Sequence, residues 1–358
     1  MSENPESTHD DVYGRTFALY DRDQLLAFMQ PFVDRFRANE LDATALFRGK
    51  RCLDAGCGGG RGTLFMLQNG AASVTSFDFS ARNVETTKRN AAKFGFTNVE
   101  VQQGTLEQLP FADDTFDVVW CNGVLQHAAH PDLCLDQITR VLKPGGRAWI
   151  YVYGSGGVYW YAVRHFREWF RDTSSEELIS LLQLAGLEPR YIGEYLDDWK
   201  VSYLRAYRAA PVVARLRELG YDGATPLAMG VPYDTNHRNT KWPTERPWLG
   251  EGDLRFLLTK HAIPTSPSRT DLGGDDCFTD GAFAPEVEAR YGKVFEALGN
   301  AVAGQPVIAA LAAARIQRAI RDRLTLAEPF DNALVIAELE TSLALVTSLD
   351  RGDAARRA

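Results

Sequence analysis

The apolar residues of this chain form short continuous runs in one region and recur at helical spacing in the others. Between residues 50 and 154, helical segments separate five apolar runs, which end near Leu53, Phe77, Val101, Cys121 and Val152. Parallel strands that are covered on both faces read as continuous apolar runs, because neither face meets water. We therefore predict an α/β core over residues 50–154, in which helices connect five parallel strands.

Residues 1–49 are predicted to form a helical cover that precedes this core. Between residues 22 and 39, six apolar side chains share one helical face: Leu25, Phe28, Met29, Phe32, Val33 and Phe36. Pro31 lies inside the pattern, so we expect a kink or two shorter helices. Two roles stay open for this segment, since it could cover a ligand cleft or pack on the edge of the sheet.

The segment that follows the core, residues 155–284, is rich in aromatic residues. Two stretches within it, 174–193 and 250–273, each read as helix, turn and strand, and we favour the second as the source of strand 6. The rest would be an insertion that binds the acceptor, because such loops carry specificity on this type of fold. Tyr159 and Trp160 are candidates for an aromatic-lined cavity, although aromatic residues at helical spacing more often belong to a core.

Residues 285–358 are predicted to be a helical extension. Segments 285–304, 305–324 and 332–349 each carry a single apolar stripe, which must be buried against a partner. The extension could cap the acceptor site, pack on the core or form a homodimer, the commonest kind of oligomer.

The loop after the first apolar run carries the most specific chemistry. Residues 54–61 read Asp-Ala-Gly-Cys-Gly-Gly-Gly-Arg, and glycines allow a ligand to approach the backbone closely. A dinucleotide loop requires G-x-G-x-x-G, but Arg61 stands at its last position. The carboxylate of Asp54 would repel a pyrophosphate, whereas it suits a ligand with a cationic amino group, such as S-adenosylmethionine (SAM). Asp78, at the end of the second run, is suited to the hydroxyls of a ribose, although enzymes that bind NAD share this feature.

Residues 104–154 resemble the class I SAM-dependent methyltransferases, in particular the UbiE-like small-molecule branch (methyltransferase type 11). LPFADDTFDVVWCNGVLQH corresponds to that family's entry into strand 4, and RVLKPGGRAWI to its turn into strand 5. With the glycine loop and Asp78, four motifs follow one another in the family's order. The resemblance implies a Rossmann-like sheet of seven strands with an antiparallel last strand. It also implies SAM as cofactor and S-adenosylhomocysteine (SAH) as product.

The resemblance further implies which residues contact the cofactor: Asp54, Gly56, Cys57, Gly58, Asp78, Phe79, Thr105, Leu106 and Asn122. Asp54 and the glycine loop would hold the methionine portion, Asp78 the ribose and Phe79 the adenine. The family often has an acid that accepts the adenine amino group where this chain has Thr105, whose hydroxyl could accept the same bond. Asn122 would approach the sulfonium through its backbone.

The candidate general base is His127, which matches a histidine that is common after strand 4 in this branch. The alternative is a structural histidine that is bonded to the backbone. Tyr13, in the segment VYGRTFALY that could close over SAM, and His237, in the polar loop at 233–242, are further candidates for contacting the acceptor. Asp275 and Asp276 together are more typical of a solvated turn than of a metal site, so no metal is predicted.

Composition limits the classes of partner. The chain has 358 residues, a formal net charge of −8 and no long basic run, which argues against nucleic acid. Its first residues are polar and acidic, and no apolar run approaches about 18 residues, so we expect neither a signal peptide nor a membrane span. The five cysteines show no CxxC spacing, which is typical of a reduced, cytoplasmic protein without structural zinc.

These patterns favour a SAM-dependent methyltransferase that acts on an oxygen or nitrogen of a small, partly apolar metabolite in specialised (natural product) biosynthesis. Two alternatives stay open. One is a methyltransferase that acts on a peptide, a protein or a carrier-bound substrate, with the C-terminal helices as its docking module. The other is a SAM-binding protein that does not methylate, such as a SAM-dependent cyclase or a scaffold.

Overall fold

The computed structural model describes residues 21–227, 246–261, 271–273, 283–323 and 330–357. The chain divides into two compact units. The first contains Met1–Gly154, Ser202–Val231 and Asp253–Asp275, and the second contains Ser155–Val201, Pro232–Gly252 and Asp276–Ala358. No helix among the described residues is long and apolar enough to cross a membrane.

A seven-stranded sheet forms the centre of the first unit, in the order β3-β2-β1-β4-β5-β7-β6. The strands are β1 (Arg51–Ala55), β2 (Ser73–Asp78), β3 (Val99–Gln103), β4 (Phe116–Asn122), β5 (Leu142–Val152), β6 (Tyr221–Asp222) and β7 (Leu254–Lys260). Strands β1 to β5 pair in parallel, whereas β7 runs antiparallel to both of its neighbours. The predicted α/β sheet of seven strands with an antiparallel last strand is therefore confirmed.

The helices of the described residues are α1 (Arg22–Ala38), α2 (Ala43–Phe47), α3 (Arg61–Gln68), α4 (Ala81–Lys93), α5 (Pro131–Val141), α6 (Gly157–Trp169), α7 (Ser175–Leu184), α8 (Pro189–Lys200), α9 (Ala209–Glu218), α10 (Arg246–Leu249), α11 (Pro285–Val302), α12 (Pro306–Arg323) and α13 (Asn332–Arg357). A 3-10 turn, Leu125–His127, follows β4.

Helices cover both faces of the sheet, which explains its continuous apolar runs. On one face, α1, α2 and α3 pack around Trp120 and Trp149, whose rings stack with centroids 4.7 Å apart. On the other face, α5 and α9 bury Ile138 and Leu216 against β4, β5 and β7. Each strand of the centre is therefore shielded from water on both sides.

Helix α1 runs without a break through Pro31. Asp21 and Gln24 form a capping box at its start, in which each side chain accepts a bond from the backbone N–H of the other. Most of the predicted apolar face is buried, including Phe36, which stacks on the ring of Trp149 at 5.4 Å. Val33 is the exception, because it is 38% exposed. The helix thus packs on a face of the sheet over β4 and β5, and not on the edge that was predicted for this role.

Both predictions for strand 6 were wrong. Residues 174–193 fall in α7 and α8, and residues 250–273 contain β7. Strand 6 is the pair Tyr221–Asp222, which follows α9. The segment before α8 reads as a turn because of Pro189, but proline is also favoured in the first turn of a helix, which is its position here.

The described part of the second unit is helical, and the C-terminal helices α11 and α12 pack within it. The hydroxyl of Tyr161 on α6 donates to Glu288 Oε2 on α11 at 2.8 Å. The ring of Phe295 on α11 stacks on His165 at 4.7 Å. Three roles were considered for the C-terminal helices, and these contacts show that of packing. Helix α11 packs on α6 and not on the sheet.

A buried polar network joins α6, α8 and α12 in this unit. Tyr159 Oη donates to Asp198 Oδ2 at 2.6 Å, and Gln317 Nε2 donates to the same oxygen at 2.7 Å. Gln317 Oε1 in turn accepts a bond from Trp199 Nε1 at 2.6 Å. Burial raises the pKa of Asp198 well above its usual range, since the charged form has lost its water.

Candidate cofactor and acceptor site

A cavity of about 260 Å³ opens in the first unit, at the carboxyl ends of β1, β2 and β4. The order of the strands reverses between β1 and β4, and open α/β sheets bind ligands at such a switch point. The wall comprises the β1–α3 loop, the ends of β2 and β4, the segment after β3, part of α1 and Tyr203.

The glycine loop lies in the wall and requires glycine. The N–H of Gly56 donates to Phe77 O at 2.8 Å, which ties the end of β1 to that of β2. Gly56 has a φ of 84°, and a Cβ at this position would lie 2.5 Å from a methyl carbon of Val124. Gly60, with a φ of 85°, caps the start of α3. The loop therefore brings backbone, rather than side chains, to the cavity.

Asp54 presents a buried carboxyl group to the cavity. It is 2% exposed, and its Oδ2 accepts a bond of 2.6 Å from Thr63 Oγ1. Burial raises the pKa of this carboxyl to about 7, although the bond from Thr63 opposes the shift. Asp54 is therefore partly protonated at neutral pH, and a cationic ligand would favour its ionised form.

Asp78 ends β2 with its carboxylate held in one orientation. Its Oδ2 accepts a bond from the N–H of Gly58 at 2.8 Å. Its Oδ1 accepts bonds from Ser80 N at 3.0 Å and Asn83 Nδ2 at 3.1 Å. The side chain is buried in the wall, so the group that is predicted to bind the ribose also stabilises the loop that surrounds it.

Phe79, Thr105 and Leu106 lie together in the wall, beyond the end of β2. Phe79 is 39% exposed and offers an apolar surface to a ligand. Thr105 Oγ1 accepts a bond from the N–H of Glu107 at 3.2 Å, so its hydroxyl already takes part in a local turn. Glu107, which was not assigned to the site, also lines the wall. It follows β3 by a few residues, and this position could have indicated that it lies near the carboxyl ends of the strands.

Asn122 lies at the end of β4, and its Oδ1 accepts a bond from Trp149 Nε1 at 3.0 Å. This bond holds the side chain against β5. The residue also lines the cavity, as does Cys57 in the glycine loop. The Cys57 thiol lies 3.5 Å from Thr87 Oγ1, and burial raises its pKa, which keeps it neutral.

His127 lies in the wall, on the 3-10 turn after β4. Its Nδ1 is 3.1 Å from the carbonyl oxygen of Tyr203. Because a carbonyl only accepts hydrogen bonds, Nδ1 of the neutral ring must carry the proton, and Nε2 is then the basic nitrogen. Tyr153 packs edge to face on the ring at 5.6 Å. The backbone bond that the structural alternative requires is therefore present, and the residue also lines the cavity, as a general base requires.

A family profile described as a methyltransferase domain matches residues 46–181. The demethylmenaquinone methyltransferase of Clavibacter sepedonicus is 32% identical over 178 residues, which cover 48% of this chain and 71% of that protein. The chain belongs to the class I SAM-dependent methyltransferases, in their UbiE-like branch.

Other relatives of the chain match over a smaller share of their own length. A ubiquinone biosynthesis O-methyltransferase of Cereibacter sphaeroides is 32% identical over 162 residues, which cover 42% of this chain and 65% of that protein. The chain thus spans less than two thirds of the length of this relative. Among solved structures, the YcgJ protein of Bacillus subtilis is 19% identical with a TM-score of 0.43, over 63% of this chain and 99% of that one.

The cavity has features that fit SAM. Asp54 would supply a carboxylate for the ammonium of the methionine end, and the glycine loop leaves room there that side chains would fill. Asp78 would bind the ribose hydroxyls, and Phe79 would offer its exposed ring to the adenine. The nine residues that the sequence implied for the cofactor all line this cavity.

Two of the predicted acceptor residues lie away from the cavity. Tyr159 and Trp160 are 3% and 2% exposed in the interior of the second unit, and neither lines the wall. Tyr13 and His237 lie outside the described residues, as do the aspartates at 275 and 276. Within the described part of the chain, no group of three or more histidine, cysteine or acidic side chains is arranged to hold a metal ion.

Part of the wall comes from residues that were not assigned to the site, although two of them belong to the helical segment that was predicted as a possible cover of a ligand cleft. Phe28 and Phe32 of α1 line it, together with Arg61 and Tyr203. The apolar periodicity of α1 was visible in the sequence, but it does not distinguish a ring that faces the core from one that faces a cavity. Tyr203 lies far along the chain from every cofactor motif, so no local pattern indicated its position.

Proposed function

We propose that the protein transfers the methyl group of SAM to a hydroxyl oxygen of a small, aromatic, quinone-type acceptor. The observation that carries this proposal is a cavity in which Asp54 and Asp78 lie in the same wall as His127. The names of the relatives, which refer to ubiquinone and menaquinone, support an acceptor of this class.

The apolar part of the wall supports an aromatic acceptor. Val124, Ala128 and Ala129 follow β4 and line the cavity beside His127 and Tyr203. The two alanines leave space that larger side chains would occupy. A flat apolar ring loses water on entering such a site, which favours binding.

The chemistry follows from proximity and proton transfer. When bound, SAM supplies a methyl group that its sulfonium activates for in-line displacement. The cavity would hold the acceptor and the cofactor in contact and exclude water. His127 Nε2 would accept the proton of the acceptor hydroxyl, while the carbonyl of Tyr203 holds the ring in the required tautomer.

A role in specialised biosynthesis is part of the proposal. The similarity to the demethylmenaquinone relative covers 48% of this chain, so about half of the chain lies outside that match. The match to the family profile ends at residue 181, so α11, α12 and α13 lie outside it. Additions of this size are a common source of new specificity on a shared catalytic fold.

Calorimetry and a methyl-transfer assay test the proposal. SAH should bind with a dissociation constant on the order of micromolar, and NAD should not bind. With labelled SAM and a panel of phenols and quinols, His127→Ala should lower kcat by about 10²–10⁴-fold, because a general base contributes this much. Binding of NAD without binding of SAH would overturn the cofactor assignment.

His130→Ala is the matched control, since His130 is an exposed histidine close to His127 that does not line the cavity. This variant should keep full activity. If His127→Ala loses less than about tenfold in kcat, His127 is not the base.

A further inference from the structure

The end of the cavity at the glycine loop carries two opposite charges. Asp54 and Arg61 both line this part of the wall. Burial raises the pKa of the Asp54 carboxyl, and the positive charge of Arg61 acts in the opposite direction. A wall that presents one anion and one cation is complementary to a zwitterion.

Arg61 is held in place by aromatic rings. Its guanidinium carbon lies 4.2 Å from the ring centroid of Phe28 and 4.3 Å from that of Phe32. Its NH1 also donates to the carbonyl of Phe28 at 3.5 Å. Phe32 is fixed in turn, because it packs edge to face on Trp120 at 5.1 Å. A guanidinium that stacks on ordered rings loses less freedom on binding a ligand.

The local backbone also favours an anion beside Arg61. Arg61 is the first residue of α3, an eight-residue helix whose N-cap is Gly60. The N–H groups at the start of a helix point outward and attract negative charge. The carboxylate of Asp54 alone would repel a ligand carboxylate at this end, so a neighbouring cation is required if the ligand carries both charges.

We propose that Arg61 binds the carboxylate of the cofactor's amino-acid end while Asp54 binds its ammonium, so that the two side chains together recognise the zwitterion. The inference rests on the proposed function, since it takes SAM and SAH as the ligands. Arginine suits this role because its planar group can donate two parallel bonds to one carboxylate. Through Phe28 and Phe32, helix α1 then contributes to cofactor binding.

Two ligands that differ in one group test the proposal by calorimetry. SAH carries the carboxylate, and its decarboxylated analogue carries only the ammonium. The wild type should bind SAH about 10–100-fold more tightly than the analogue, the range expected for bonds to a charged group. Arg61→Gln should lower the affinity for SAH by about the same 10–100-fold. It should change the affinity for the analogue by less than about twofold.

The control is Arg22→Gln, which removes an arginine of α1 that also stacks on an aromatic ring. Arg22 lies over the ring of Phe94 at 5.2 Å and does not line the cavity. It should leave both affinities unchanged. Arg61→Lys keeps the charge without the planar donor pair, and should recover part of the preference for SAH. Should Arg61→Gln fail to fold, Arg61→Lys and Phe28→Leu should each reduce that preference while the analogue binds as before.

The outcomes separate the two proposals. If the wild type binds both ligands equally well, the carboxylate is not recognised, and the role of Arg61 is refuted while cofactor binding stands. If Arg61→Gln weakens both ligands by the same factor, the arginine is only structural, and the proposal is again overturned. If the wild type binds neither ligand, the proposed function itself is wrong.

Discussion

Binding of SAH should weaken as the pH falls through 7, because Asp54 must be ionised to attract an ammonium. The carboxyl is 2% exposed, and burial raises its pKa to about 7. In the free protein the group therefore carries a proton below neutral pH. A ligand with an ammonium favours the carboxylate, so its binding has to expel that proton.

The magnitude follows from the pKa of Asp54. For one group that titrates near 7, the apparent dissociation constant equals that of the fully ionised protein multiplied by 1 + 10^(7 − pH). This factor is roughly 11 at about pH 6 and roughly 1.3 at about pH 7.5. The affinity for SAH should therefore fall about eightfold over this interval, or about 1.3 kcal/mol. About 0.9 proton should be released per SAH bound at about pH 6.

The stability of the protein without ligand should decrease as the pH rises, whereas its affinity for SAH should increase. The folded-state pKa of Asp54 is higher than that of an unfolded aspartate. Its contribution to stability is therefore fully present below the unfolded pKa and is lost as the pH rises through 7. SAH should offset this loss at the upper end of the range, because it favours the ionised group.

Calorimetry in two buffers of different ionisation enthalpy measures both the affinity and the number of protons released. Asp54→Asn removes the titrating group and should make the affinity independent of pH. The control is Asp117→Asn. Asp117 bonds to Arg51 N and Lys143, away from the cavity, so this variant should keep the wild-type dependence. A wild-type affinity that is constant over the interval, or a dependence that survives in Asp54→Asn, would refute the reasoning.

Two further substitutions test groups in each unit. Asp78→Ala should weaken SAH by about 1.5–3 kcal/mol and also lower the Tm, because Gly58 loses its hydrogen-bond acceptor. Calorimetry and thermal unfolding measure these effects, and unchanged affinity in a folded variant would rule out the ribose contact. Asp198→Asn should gain stability relative to the wild type as the pH rises, since burial raises the pKa of Asp198 and the wild type loses stability on ionisation. Urea unfolding at about pH 5.5 and 8 measures the difference in free energy of unfolding between the variant and the wild type. The same difference at both pH values would contradict the prediction.

The cofactor side of the site could be predicted because the relevant residues end strands. Asp54, Asp78 and Asn122 lie at the carboxyl ends of β1, β2 and β4. Parallel strands bring these ends to one edge of the sheet, so residues that are distant in sequence must meet there. The strands themselves were visible because the covered sheet requires unbroken apolar runs.

Strand 6 could not be predicted because two residues have no periodicity. Its position is decided by tertiary contacts, since Tyr221 pairs with Lys260 on β7 and its hydroxyl lies 3.1 Å from that of Thr139 on α5. None of these partners is near in sequence. The two segments that were proposed instead have stronger local patterns, which here encode helices and the last strand.

The position of the aromatic residues of α6 could not be predicted from local sequence patterns either. A cluster of tyrosines and tryptophans fits the interior of a helical unit as well as it fits a ligand cavity. Tyr159 is directed to the interior by Asp198 and Gln317, which lie 39 and 158 positions away along the chain. Such distant polar partners decide which way a helix face turns, and a single sequence does not reveal them.

Arg61 connects the sequence pattern to the choice of cofactor. A glycine at this position would allow the start of α3 to approach a pyrophosphate closely, as a dinucleotide requires. The arginine instead places a guanidinium in the cavity wall that Asp54 also lines, stacked on Phe28 and Phe32. Its cation, together with the carboxylate of Asp54, matches the two charges of an amino acid. The residue that departs from the dinucleotide pattern is therefore the one that we expect to recognise the alternative ligand.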